Sequence, residues 1–287
     1  MTDVGPLEPF HVTGANGMLG RAWCVLLRER GLRFRATGRS ELDVLDATSI
    51  RAGLAPSTRT VINCAAWTDV DGAETHESDA DRLNALAVAA LAERCAAAAA
   101  VLVHYSTDYV FDGRAREPYR TDAPTAPVNA YGRSKERGEL VLRRSQCAHL
   151  LVRTSWLYAP WSRNFVRTIA GLASRREQLR VVSDQWGTPT SAEFLARQTL
   201  ALLEHGARGT FHVTDGGACS RHEFARAIVR GLDLACRVEA CETDPAERPA
   251  QRPVYTVLDV SGTTALLGAA PGWPVNLASV LPRLEPA

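Results

Sequence analysis

The stretch Phe10–Gly20, FHVTGANGMLG, constrains this chain more than any other. Phe10 to Thr13 are β-prone, and the chain then turns through Gly14, Gly17 and Gly20. Leu19, Ala22, Trp23, Leu26 and Leu27 succeed them at spacings of three and four, one face of a helix. A strand, a glycine turn and a helix start in that order make a phosphate cradle. The first helical amides point outward unpaired, the helix dipole favours an anion, and glycine lets a pyrophosphate approach the backbone. The spacing is Gly-x-x-Gly-x-x-Gly, not the commoner Gly-x-Gly-x-x-Gly. Taken alone, the stretch fits a dinucleotide site or an ordinary tight turn.

Beyond the turn, strands and helices alternate. Arg33–Thr37, Thr60–Ala66, Ala100–Ser106 and His149–Tyr158 read as strands, the later three as apolar runs buried on both faces. Helices are expected from the glycine turn to Gly31, over Ser78–Ala98 and from Ala130, with a loop over Tyr109–Pro127. The class is α/β, a Rossmann-type doubly wound parallel sheet. Beyond Pro160 the pattern loosens into helices Asn164–Ser174, Ser191–Glu204 and Arg221–Leu232, with strands Leu179–Ser183, Gly209–Thr214 and Arg237–Thr243. Residues 1–160 are expected to form the dinucleotide-binding domain and 161–287 a smaller α/β substrate-binding lobe. A strand–helix piece near 179–205 is a candidate to return to the first domain. Residues 1–8 read as a loose polar tail.

Composition excludes several classes. The 287 residues carry a formal net charge of +1, so no basic surplus draws nucleic acid or an anionic membrane. No apolar run approaches the ~20 residues of a membrane helix. The first residues, with Asp3 and Glu8, lack the apolar core of a signal peptide, and a cytoplasmic location is expected. The seven cysteines are odd in number and form no CxxC pair, so reduced thiols are expected rather than a zinc or disulfide framework. His11 stands in a buried strand and is expected to hydrogen-bond its ring there.

Tyr131 and Lys135 in AYGRSKERGE lie one helical turn apart. A fixed cation beside a phenol stabilises the phenolate and is expected to lower its pKa from ~10. Such a phenol can protonate an oxygen while hydride reaches the attached carbon. Thr107 or Ser106, at the end of the upstream strand, could hold that oxygen. After the second strand, no acid follows Gly38 to bind a ribose 2′-hydroxyl. Arg39 and Ser40 could receive a 2′-phosphate instead, which favours NADPH and leaves NADH as the alternative. Asp43 and Val44 could flank an adenine.

GANGMLG, the Tyr131–Lys135 pair and the upstream hydroxyl resemble an extended short-chain dehydrogenase/reductase. VINCAAWTDVDGAE, STDYVFDG, RTSWLYA and DQWGTPT resemble more narrowly the dTDP-4-dehydrorhamnose reductases, from Phe10 to about Asp259. The resemblance implies reduction of C4 of dTDP-4-dehydro-L-rhamnose by NADPH. Tyr131 would donate the proton, Lys135 would tune it and bind the nicotinamide ribose, and Thr107 would hold the C4 oxygen. Gly14, Asn16, Gly17, Met18, Leu19 and Gly20 would wrap the pyrophosphate, and Ala65 and Ala66 would line the cofactor cleft. Thr68, Val70, Asp108 and Trp156 would meet the sugar, with Asn164 and Arg248 toward its nucleotide end. Trp67 stands where that branch usually has Tyr, and the segment RPAQRPVYTVLD is a loose form of its pattern. No acidic cluster suggests a metal site. The expected partner is a dTDP-sugar, and the expected assembly a homodimer.

Overall fold

A computed structural model describes residues 7–246 and 248–285. The tail reading of residues 1–6 lies outside the described residues. The chain runs β1 (Phe10–Thr13), α1 (Met18–Glu29), β2 (Phe34–Thr37), α2 (Ala47–Gly53), β3 (Thr60–Asn63), α3 (Val70–Thr75), α4 (Glu77–Asp81), α5 (Ala87–Ala97) and β4 (Val101–Thr107). It continues with α6 (Ala130–Arg144), β5 (His149–Thr154), β6 (Leu157–Tyr158), α7 (Phe165–Ala173), β7 (Gln178–Val182), β8 (Trp186–Gly187), β9 (Thr190–Ser191) and α8 (Ala192–Glu204). The last elements are β10 (Gly209–His212), β11 (Cys219–Ser220), α9 (Arg221–Gly231), β12 (Arg237–Cys241), α10 (Ser261–Leu267) and α11 (Trp273–Val280).

Six strands form one parallel sheet in the order β10-β5-β4-β3-β1-β2. The order reverses between β1 and β3, and in such sheets a ligand crevice opens beyond the strand ends at that point. The strands read as apolar because helices cover both faces. Phe10, Val12, Ile62 and Val103 pack with Trp23 and Leu27 of α1 on one face, while Val61, Leu102 and Leu151 pack with Val88 and Leu91 on the other. His11 is buried, and its Nε2 shares a hydrogen bond with Thr37 Oγ1 at 3.0 Å, as expected.

The returning piece differs from expectation. The strand near 179, β7, pairs with β12 outside the main sheet, and it is α8 followed by β10 that rejoins it. The physical reason is apolar: Phe194, Leu195 and Leu200 of α8 pack in the same core as Leu26 of α1. A separate core under β7 and β12 collects Ile169, Leu179, Phe224, Ile228 and Val280.

The helix expected over Ser78–Ala98 is present but interrupted. A π segment, Arg82–Leu86, joins α4 to α5 and puts one extra residue into a turn. No helix among the described residues is long and apolar enough to cross a membrane. All seven cysteines are free.

Candidate active site

The glycine turn spans the crevice at the ends of β1 and β3. Gly14 has φ +63, and a Cβ there would come within 2.6 Å of the Ala65 amide nitrogen. Gly20 packs onto the Gly14 carbonyl and leaves no room for a side chain either. Gly17 caps α1 without a side-chain hydrogen bond, and no acid stands in the first turn. Asn16 and Gly17 are exposed. Free amides without a competing carboxylate fit a pyrophosphate. Met18 is half-buried, whereas Leu19 packs with Trp23 in the core and has only its backbone to offer.

The Asn16 amide reaches Gly38 at the end of β2, beside exposed Arg39 and Ser40. An acid does stand there: Glu41 accepts the Gly38 N–H at 2.8 Å. The turn folds it back, which sequence spacing does not indicate. Asp43 accepts the Leu45 N–H at 2.9 Å, and Val44 is buried in a core with Leu42 and Ile50. Ala65 and Ala66 follow β3 and are half-buried.

The expected catalytic residues come from β4 and α6. Asn129 caps α6 by accepting the Gly132 N–H at 2.8 Å. Gly132 packs onto the Tyr109 carbonyl, which presses α6 against the turn after β4. In that turn, a 3-10 segment over Asp108–Val110, Thr107 Oγ1 accepts the Tyr109 N–H at 3.2 Å and donates to Asp108 Oδ1 at 3.0 Å. The Thr107 hydroxyl acts on the buried Tyr131 phenol, while Ser106 lies by Glu139. Of the two hydroxyls, Thr107 is therefore the one in position.

Burial pushes the Tyr131 phenol above its ordinary pKa, opposed by the Thr107 hydrogen bond and reinforced by Asp108 and Tyr109. Lys135 is not among the groups acting on it, so the expected lowering is absent in the protein alone. Burial pushes the Lys135 ammonium down to about 8, against the pull of Glu139. Glu139 forms a paired ion bridge to Arg153 at 2.8 and 2.7 Å, both side chains 1% exposed.

Thr68 is exposed and Val70 half-buried, on the loop after β3. Asn84 in the π turn pins that loop: it accepts the Trp67 N–H at 2.9 Å and donates to the Trp67 carbonyl at 3.0 Å. It also donates to Ser134 Oγ at 2.9 Å, and Ser134 donates to the Tyr131 carbonyl at 2.8 Å. Asp108 is buried, and burial pushes its carboxyl up to about 6, opposed by hydrogen bonds from Thr256 and Thr107 and the charge of Arg221. Trp156 is half-buried with φ +45.

Asn164 is not brought to this group as a free amide. It caps α7, accepting the Arg167 N–H at 3.2 Å and donating to the carbonyls of Ala159, Trp161 and Ser162. Arg248 is largely exposed, 3.5 Å from Asp71. Its neighbour Arg252 is better placed, forked onto Asp71 at 2.7 and 2.8 Å and acting on Tyr109. Sequence reasoning passes over Asn84, Tyr109, Arg221 and Arg252. The one signal for Asn84 is a polar residue amid the alanines and leucines of its helix; Arg221 meets the site only through the tertiary fold.

Sheet, glycine turn and the Thr107–Tyr131–Lys135 set define an oxidoreductase of the short-chain dehydrogenase/reductase class. Residues 10–285 match the family described as RmlD substrate binding domain. The chain belongs to that family, the dTDP-4-dehydrorhamnose reductases. It is 44% identical over 251 residues to a dTDP-4-keto-6-deoxy-D-glucose reductase of Streptomyces niveus, covering 86% of this chain and 87% of the relative. It is 40% identical over 265 residues to a dTDP-4-dehydrorhamnose reductase of Streptomyces griseus, covering 89% and 87%. Among solved structures, dTDP-4-dehydrorhamnose reductase from Bacillus anthracis in complex with NADP is similar with a TM-score of 0.91 at 32% identity, covering 96% and 99%.

Proposed function

We propose that this protein reduces the C4 keto group of a dTDP-4-keto-6-deoxysugar with NADPH, and that the sugar is dTDP-4-dehydro-L-rhamnose, giving dTDP-L-rhamnose. The observation that carries the reading is the packing of Tyr131 and α6 against the turn after Thr107, with Lys135 one helical turn on. When bound, the nicotinamide cofactor supplies hydride to the carbonyl carbon. Tyr131, held protonated by burial, donates its proton to the C4 oxygen, and Thr107 fixes that oxygen in line. Lys135 keeps a positive charge under the site at neutral pH and orients the cofactor ribose. The open amides of α1 and the exposed Arg39 and Ser40 are assigned to the cofactor's pyrophosphate and 2′-phosphate. Thr68, Val70, Asp108 and Trp156 are assigned to the sugar. Residues 1–160 are assigned to cofactor binding and 161–287 to the substrate, save α8 and β10, which complete the first sheet and its core, and a homodimer in the cytoplasm is the proposed working state.

The 44% identity to a dTDP-4-keto-6-deoxy-D-glucose reductase favours a second reading, a sister reductase for another keto-sugar of this class. An NADP-binding regulatory subunit of the same fold is disfavoured by the intact Tyr131–Lys135 pair. NADPH oxidation with several dTDP-keto-sugars separates the readings. Turnover of the dehydrorhamnose substrate by wild type, with none by Tyr131→Phe, is expected; equal activity in both would overturn the assignment of the acid.

A further inference from the structure

Arg221 opens α9, and its charge is oddly placed. Its guanidinium carbon sits 3.6 Å over the Trp156 ring and 5.1 Å from the ring of Phe165. Behind Trp156 lies Gly187, where a Cβ would come within 2.6 Å of the indole Cε2. A planar cation, an indole and a bare stretch of backbone are thus stacked. Trp156 is held there at φ +45, a strained conformation for a bulky residue that persists only where its surroundings enforce it.

Arg221 is half-buried, and no described carboxylate pairs with it at ion-pair distance. Asp108 acts on it by charge and accepts its own hydrogen bond from Thr107. Arg252 makes the contrast. Both arginines act on the Tyr109 hydroxyl, but Arg252 is neutralised by the fork on Asp71. A desolvated guanidinium without an acid is costly to keep, and its planar donors match a phosphate. The distance to the chemistry also fits. Tyr109 stands edge-on to Tyr131 with ring centroids 6.1 Å apart, so Arg221 lies one ring away from the proton donor.

We propose that Arg221, stacked on Trp156 and flanked by the Tyr109 hydroxyl, seats a phosphate of the substrate's nucleoside diphosphate arm and so selects nucleotide-linked sugars over free ones. This rests on the reading of the protein as a nucleotide-sugar reductase.

The test is calorimetric titration of the full chain with thymidine 5′-diphosphate and with thymidine. Arg221→Met and Arg221→Gln are expected to weaken diphosphate binding about 10- to 100-fold, the worth of a charge-assisted hydrogen bond, and to leave thymidine binding unchanged. KM for the keto-sugar is expected to rise by the same factor with kcat held, the sign of uniform binding. Wild-type diphosphate affinity in either folded variant overturns the proposal. Should the neutral variants not fold, Arg221→Lys serves: loss of the fork is expected to cost about tenfold, and wild-type affinity overturns the proposal. Diphosphate binding that depends on Arg221 without any keto-sugar turnover would keep the seat and remove the reductase reading. Turnover with unchanged KM in the variants would do the reverse.

Discussion

Tyr131 illustrates how a single side chain is set for one direction of proton flow. Its phenol is raised by burial and steadied by Thr107, so it carries its proton throughout the neutral range. A carbonyl that receives hydride becomes an alkoxide, which needs a proton donor rather than a base. Replacing Tyr131 with Phe is therefore expected to lower kcat by about 10²–10⁴, the usual worth of a positioned acid, while NADPH binding measured by titration stays near wild type. Lys135 is expected to set the alkaline limit. Its folded pKa is depressed to about 8, so its charge is present below that pH and lost above it. Activity is expected to fall as pH rises through about 8, read from a kcat/KM profile. The placing of Tyr131 and Lys135 one turn apart on a helix is legible in the sequence because that spacing is local, whereas the raised phenol is not, because burial comes from the fold. Asn164 is not, because a polar residue before a helix can cap it or bind a ligand, and only the chain path over Ala159–Ser162 decides.

At the scale of elements, the π turn at Arg82–Leu86 links the loop after β3 to α6. Asn84 satisfies both backbone groups of Trp67 and touches Ser134 of α6. Asn84→Ala would leave those groups without their partner, at about 1–3 kcal/mol for each buried group stranded. A lowered melting temperature is expected, together with weaker cofactor binding as the loop from Ala65 loosens. An unchanged melting curve would mean that the loop is held by other contacts. The strands and most helices can be read from the sequence, since apolar period and glycine punctuation are local signals. The π turn cannot, because an extra residue in a helix leaves no mark on composition. The pairing of β7 with β12 is equally hidden, since strand partners depend on which apolar faces meet.

Over the whole molecule, buried acids and histidines act in opposite senses. Burial, with Arg35 adding, depresses His11 to about 4, and burial with Arg153 depresses His212 likewise, below an unfolded value of ~6.5. Their contribution is present above ~6.5 and lost as pH falls toward about 4. Burial raises Asp215 to about 7, above an unfolded value of ~3.9. Its contribution is full below ~3.9 and lost as pH rises through about 7. The two effects oppose each other between about pH 4 and 6.5. Asp215 accepts hydrogen bonds from Asn276 at 2.8 Å and Tyr158 at 3.3 Å, joining α11 to β6. Asp215→Asn removes one side of the balance. Its melting temperature is expected to drop more steeply than wild type between pH 6.5 and 4.5; parallel curves would show that Asp215 titrates as an ordinary acid.

The route of the chain through α8 and β10 has a consequence for dissection. After leaving the six-stranded sheet at β5, the polypeptide builds part of the neighbouring core and then comes home to add the outermost strand. Cutting near residue 160 would strip that strand, lay bare the hydrogen-bonding edge of β5 and uncover the apolar side of α1. An exposed edge of that kind recruits other chains. The N-terminal half by itself is therefore expected to clump rather than survive as a miniature nucleotide binder, because the two bodies are sewn together by one thread.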